Sequence, residues 1–232
     1  LQETLRKEGF KVESGVADIP TAFVASYGSG QPVIGILAEF DALPGLSQDS
    51  VPYQKPLIEG GTGHGCGHNL FGTASTAAGI ALKDWLIQTK RAGTVRVYGT
   101  PAEEGGGGKV YMVRAGLLKD VDAVIHWHPG DNNSADASTC TAVMQGMFRF
   151  YGKTAHAAGA PERGRSSLDG VEAMNVMVNM MREHVDERSR IHYVITKGGL
   201  AANIVPDFAE VEYMVRHPDV TEVKQMWERV IK

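Results

Sequence analysis

The sequence predicts an α/β protein in which helices cover a mostly parallel central sheet, followed by a smaller α+β unit. Three observations carry this reading. Strand-like and helix-like runs alternate from Thr21 to His126, the pattern of helices packed on a sheet. One run, Val33 to Ala38, is apolar on both faces and belongs in the buried middle of that sheet. From about Val143 short strands surround one long helix, so the division falls at 1–142 and 143–232.

Leu1 to Gly9 reads as the last turns of an amphipathic helix closed by glycine. Thr21 to Tyr27 and Val33 to Glu39 are strands, joined by Gly28-Ser29-Gly30-Gln31-Pro32, a hairpin loop by composition. A polar Gly/Pro loop runs from Pro44 to Gly63, and a small-residue helix from about Gly72 to Leu86. Strand Thr94 to Tyr98, a helix from about Lys109 to Ala115 and strand Ala123 to His126 complete the first unit. In the second, Met147 to Tyr151, Ile191 to Ile195 and Ala209 to Val215 are strands, and Leu168 to about Val185 is the long helix. Val171, Met174, Val178, Met181 and Val185 share one helical face and should pack on the sheet. Asp219 to Glu222 resembles a capping box, and the helix it opens has met no stop signal by Lys232. Both ends look cut, so the expectation is a part of a longer protein.

The chain has 232 residues, 43% of them hydrophobic, and a formal net charge of −4. That is ample for a buried core. No Lys/Arg-rich run is present that would neutralise a phosphate backbone, so nucleic acid is not the expected partner. The apolar runs fall far short of the ~20 residues of a membrane span. Two cysteines, Cys66 and Cys140, argue against a disulfide framework and for a reducing compartment, with cytoplasm the default.

Chemistry concentrates in three loops that leave strands or enter helices, where open α/β sheets place their sites. Gly63-His64-Gly65-Cys66-Gly67-His68-Asn69 offers a thiolate and an imidazole two residues apart. In an extended segment such residues point to the same side. Pro101-Ala102-Glu103-Glu104-Gly105 offers adjacent carboxylates, one suited to hold an ion and the other to serve as general base. His126-Trp127-His128-Pro129 offers two imidazoles, of which one would ligate and the other sit in the core or behind a ligand. Together these are ligand types that a borderline-soft divalent ion such as zinc selects. His64 would stand behind a ligand, and Asp41 would either orient an imidazole or serve as a turn aspartate. Cys66 occupies the place of the third glycine in a dinucleotide fingerprint, and Val110 follows Gly108-Lys109 where a phosphate loop needs Ser or Thr. Nucleotide cofactors are not supported.

These motifs, with Glu39-Phe40-Asp41-Ala42-Leu43-Pro44-Gly45-Leu46-Ser47-Gln48, Ala155-His156-Ala157-Ala158, Pro161 to Ser166 and Gly198-Gly199-Leu200 through Arg216-His217-Pro218, resemble the dinuclear-metal aminoacylase and carboxypeptidase family. Within it the chain is similar to the amidohydrolase branch that acts on aminobenzoyl-glutamate and on indole-acetyl amino acids. The resemblance implies two divalent ions, zinc or manganese, held by Cys66, His68, Glu104 and His128, with Glu103 activating a water. It implies a metallopeptidase-like catalytic domain in 1–142 and, in 143–232, a lid through which a homodimer or a homologous second subunit assembles. His156 matches a lid histidine that reaches into the partner's site, and Asn203 and Arg216 match substrate-holding positions. Asn69 stands where many relatives carry Asp. The family's last ligand lies further along the full protein, so the resemblance expects an incomplete ligand set within these residues.

The expected activity is metal-dependent cleavage of the amide in an N-acyl or N-aroyl amino acid, glutamate conjugates preferred. Dipeptidase or N-acyl-amino-acid hydrolase activity is the near alternative. A non-catalytic regulatory subunit and a cysteine hydrolase using Cys66 are the distant ones. Adjacent Glu103 and Glu104 speak against the scaffold, and chelator sensitivity separates the thiol enzyme from the metal enzyme.

Overall fold

The computed structural model describes residues 1–135 and 140–232, which form two compact units, Leu1–Ser134 and Ala135–Lys232.

The first unit contains α1 (Gln2–Lys7), β1 (Lys11–Ser14), β2 (Phe23–Ser29), β3 (Val33–Glu39), α2 (His68–Thr89), β4 (Gly93–Thr100), α3 (Gly108–Arg114) and β5 (Ala123–Ile125). The sheet order is β1-β2-β4-β3-β5. β2 runs antiparallel to β1 and β4, while β3 is parallel to β4 and β5, so four of the five strands point the same way. The doubly apolar β3 does lie inside the sheet, with Val33, Ile36 and Ala38 buried.

The expected hairpin between β2 and β3 does not form. β4 inserts between them, its Thr94 N–H donating to Pro32 O and its Thr94 Oγ1 to Gly30 O, both at 2.9 Å. Two strand spacings are only ~9.6 Å, a gap that a five-residue loop can straddle. β4 also needs an interior position, because Val95 and Val97 are buried on one face and Tyr98 on the other. Loop composition signals a turn and says nothing about which strand fills the gap.

Helices cover both faces. α2 packs with Phe10, Ile36, Val95 and Val97 through Ile80, Leu82 and Leu86, and α3 places Met112 against Val24 and Tyr98. The many small residues of α2 have a packing reason: a Cβ at Gly79 would stand 2.4 Å from Val97 Cγ2. A side chain there would push the helix off the sheet.

The second unit contains β6 (Ala142–Tyr151), α4 (Ser167–Met181), β7 (Arg190–Lys197), β8 (Phe208–His217) and α5 (Val220–Ile231). β8 is central in an antiparallel sheet ordered β6-β8-β7. Its Ala209, Val211, Tyr213 and Val215 alternate onto the face covered by α4 and α5. The expected helix face becomes core as far as the helix runs, with Val171, Met174 and Val178 buried and Met181 beside them; α4 ends at Met181, short of the expected Val185, which packs on the core from extended backbone after a 3-10 turn. Each such side chain is worth ~1.5–3 kcal/mol on burial. Asp219 caps α5 by accepting from Thr221 N at 2.7 Å. Among the described residues no helix is long and apolar enough to cross a membrane.

Candidate metal centre

The ends of β3, β4 and β5 and the start of α2 bring their polar side chains to one place. Gly67 turns the chain with φ +77°, a conformation that favours glycine, and a Cβ there would crowd Pro129 at 3.0 Å. His68 is therefore the first residue of a helix, not part of the extended segment expected from its spacing. The two side chains still converge, because the turn at Gly67 does what strand alternation would have done. Cys66, His68 and His128 each offer a ligand atom within 4.8 Å of the others. Cys66 Sγ lies 3.1 Å from His128 Nε2.

Each imidazole is oriented from behind. His68 Nδ1 meets Asp41 O at 3.0 Å, so a proton on Nδ1 donates there and leaves Nε2 facing the cluster. His128 Nδ1 meets Pro129 O at 2.9 Å with the same effect. Trp127 anchors the segment between the two histidines, its Nε1–H donating to Ser75 Oγ on α2 at 3.0 Å. His126 faces away from Cys66 and toward Glu39, with Nε2 3.2 Å from Oε1. His64 is exposed and outside this group.

The acidic side follows the same logic. Gly106, Gly107 and Gly108 N–H groups all donate to Ala102 O, folding a tight loop with Glu103 and Glu104 at its tip. Ala102 itself has φ +59°, strain of the kind that gathers at functional sites. Asp41 Oδ2 accepts the Glu104 N–H at 3.0 Å. Glu103 Oε2 stands 3.9 Å from His68 Nε2, and Glu39 Oε2 stands 3.2 Å from the same nitrogen.

That nitrogen is the strongest sign of what belongs here. His68 is fully buried, yet among the described residues its Nε2 has no hydrogen-bond partner, although Glu39 Oε2 stands 3.2 Å away. Ligands of one tetrahedral ion sit ~3.3–3.8 Å edge to edge, given bonds of ~2.0–2.3 Å. The 3.1 Å separation of Cys66 Sγ and His128 Nε2 is close to that spacing, and a buried nitrogen among acidic groups fits a divalent cation. Burial, then a hydrogen bond with Glu104 and the negative charges of Glu104, Glu103 and Glu39, pushes the Cys66 thiol up to about 11. A divalent cation at this point would oppose that shift, because a nearby positive charge favours the thiolate that ligates.

Local sequence pattern does not reach two residues of this cluster. By pattern Glu39 is the end of a strand and Lys109 the start of a helix after a run of glycines. In the fold Glu39 is buried and Lys109 Nζ lies 2.5 Å from its Oε1. An acidic residue closing a doubly apolar strand is the one signal the sequence offers for the pair.

His156, Asn203 and Arg216 lie in the second unit. His156 bridges Ile204, and the Ala157 N–H donates to Asn203 O at 3.1 Å, so the first two are neighbours. His156 Nδ1 accepts from the N–H groups of Ala158 and Gly159 at 3.2 and 3.0 Å, which puts the ring proton on Nε2. Their loops leave the sheet at the end where Tyr151 pairs with Phe208. Arg216 pairs with Val143 at the other end, eight strand residues on, or ~26 Å. Its Nε and Nη2 rest on Met214 Sδ, at 3.1 and 2.9 Å.

Comparison with known proteins bears on this arrangement. A p-aminobenzoyl-glutamate hydrolase subunit of Escherichia coli (strain K12) is 48% identical over all of this chain, which covers 49% of that protein. The Xaa-Arg dipeptidase of Mus musculus is 32% identical over 89% of this chain and 46% of its own length. The chain thus spans about half the length of the curated relatives it matches. Among solved structures, a dinuclear metal binding peptidase from the M20 family of Bacillus subtilis superposes with a TM-score of 0.64 at 22% identity, covering 99% of this chain and 61% of that one. The model of peptidase family M20/M25/M40 matches residues 35–232, through the cysteine and histidine loops and on to the last helix, and the chain belongs to that family.

Proposed function

We propose that this chain is the metal-binding part of a two-metal amidohydrolase that cleaves the amide of an N-acyl or N-aroyl amino acid, with p-aminobenzoyl-glutamate the first substrate to test. The observation that carries the reading is the buried, unpaired His68 Nε2 set among Glu39 and Glu103, beside the Cys66–His128 contact. Cys66, His68, Glu104 and His128 would hold the ions, zinc or manganese. When bound, such ions polarise a carbonyl and make a water acidic enough to attack at neutral pH.

The chain's own residues would do the rest. Glu103 stands beside the cluster with its side chain 42% exposed, so it can reach a water from the solvent side. It would take the proton of the attacking water and return it to the leaving amine. His156 holds its ring proton on Nε2, the form that can donate to a developing oxyanion. Arg216 would pair a substrate carboxylate through two N–H groups, replacing the weak Met214 sulfur acceptor.

His156 lies in the loop past the end of β6, whereas Arg216 lies in β8 near the other end of the sheet, opposite Val143. That favours assembly, in which one site draws these groups from two chains. β7 is an edge strand with Val194 and Ile195 exposed, and α4 exposes Val176, Met177 and Met180, a surface suited to a homodimer or to a homologous second subunit. The likeness to a protein named as one subunit of a hydrolase keeps the second subunit in view.

The test uses full-length protein stripped with a chelator and reloaded with Zn²⁺ or Mn²⁺, with release of p-aminobenzoate and glutamate followed directly. Activity should vanish with the metal and return with it. Hydrolysis that survives metal removal would overturn the reading in favour of Cys66 as nucleophile.

A further inference from the structure

We infer that Lys109, which is partly exposed, and the buried Glu39 form a clamp that positions the metal-binding segments. The inference rests on the metal reading above and goes beyond it, because neither residue belongs to the proposed ligand set. Glu39 is the last residue of β3, and its side chain is 3% exposed. One oxygen, Oε1, receives Lys109 Nζ at 2.5 Å and His126 Nε2 at 3.2 Å. The other, Oε2, faces His68 Nε2 at 3.2 Å.

Four segments therefore meet on one carboxylate: the end of β3, the start of α2 with His68, the first turn of α3, and the chain leaving β5. Lys109 follows Glu104 by five residues, so its ion pair pins the far end of the loop that carries Glu103 and Glu104. Asp41 pins the near end through the Glu104 N–H. His126 is tied in turn, with Trp127 held on Ser75, which sets the direction of His128 two residues on.

Taking a carboxylate and an ammonium out of water is costly, and a hydrophobic pair of the same volume is often as stable. Global stability is thus a weak reason for the pair. Groups around the ligands that fix their geometry are commonly worth 10- to 100-fold in metal affinity, and Glu39 is such a group on the Nε2 side of His68 as Asp41 is on the Nδ1 side. That is the role the geometry gives Lys109 and Glu39: positioning residues that act through His68, His126 and the Glu103–Glu104 loop.

The experiment is a metal competition titration on full-length protein, comparing wild type with Lys109→Met, Lys109→Arg, Glu39→Gln and the Lys109→Met/Glu39→Gln double variant. Melting temperatures are read in chelator, where no metal contributes. Lys109→Met and Glu39→Gln should each weaken metal binding by ~10- to 100-fold. The double variant should be no worse than the single ones, since each breaks the same clamp. Lys109→Arg should recover most of the affinity, and excess metal should restore the turnover of Lys109→Met, which a folding defect would not allow. Should Lys109→Met fail to fold, Lys109→Gln carries the same comparison. Wild-type affinity in Lys109→Met, additive losses in the double variant, or an arginine variant as weak as the methionine one would overturn the clamp. A wild-type protein that binds no metal overturns the functional reading itself, and the clamp with it.

Discussion

The Asp41 side chain accepts the backbone N–H of Glu104 at 3.0 Å, while Asp41's own carbonyl oxygen meets His68 Nδ1 at the same distance. One residue at the end of a strand thus orients a proposed imidazole ligand and holds the backbone of a proposed carboxylate ligand. Asp41→Ala removes the hold on Glu104 and should weaken metal binding by ~10- to 100-fold with the fold retained. Asp41→Asn keeps an oxygen acceptor for the Glu104 N–H and should lose less. A competition titration reads both, and equal affinity in Asp41→Ala and wild type would remove Asp41 from the site.

The two histidines after β5 make a sharper comparison. His128 Nε2 faces Cys66, whereas His126 Nε2 faces Glu39. Elemental analysis of full-length variants should find Cys66→Ala and His128→Ala short of metal, with His126→Ala retaining more. If His126→Ala loses the metal and His128→Ala keeps it, the two histidines exchange roles.

Glu103 shares a candidate ligand group with His68 and Glu39, yet the proposed ligand set holds the ions without it. Glu103→Gln should leave metal content unchanged and cut kcat by ~10²- to 10⁴-fold, the usual worth of a general base. Loss of metal in this variant, with Glu104→Gln still loaded, would mean that the carboxylates divide the work the other way.

His156 belongs to the second unit, and its proposed action across a dimer can be read by complementation. Full-length His156→Ala and Glu103→Gln, each inactive alone, should recover activity on mixing, because a mixed dimer holds one site with both groups intact. An oxyanion donor is worth ~10²- to 10³-fold in rate, so the recovered signal should stand clear of either parent. Subunit exchange is verified first by mass measurement. Mixed dimers without recovered activity would place His156 in its own chain's site or outside the chemistry.

The second unit should also show a pH signature. Hydrogen bonds from the Arg188 side chain and N–H, and then from His217, hold the Asp186 carboxyl well below the usual carboxylate range. A carboxylate with a lowered folded pKa adds stability that is fully present above its unfolded value of ~3.9 and is lost as pH falls through the folded one. Asp186→Asn should therefore lower the melting temperature at pH 7, and the difference from wild type should shrink as pH drops below about 4. A difference that stays constant from pH 7 to pH 3 would mean that the ionised form of Asp186 adds nothing to stability.

Much of this arrangement is legible in the residues alone. Apolar residues on both faces mark β3 as interior, and the helical spacing from Val171 to Met181 marks a core face, because periodicity reports directly which faces meet water. Cys66, His68, Glu103, Glu104 and His128 stand out because glycine-rich loops rarely hold such groups without cause. What the tertiary structure decided was adjacency. β4 lies between β2 and β3, Glu39 finds Lys109, His68 uses a helix start in place of an extended turn, and Arg216 sits opposite Val143, at the end of the sheet away from the loop that carries His156. Local pattern sets which face of an element is buried. Which strand fills a gap, or which ammonium reaches a carboxylate 70 positions away in the sequence, depends on how finished elements dock, and no spacing within one element encodes that.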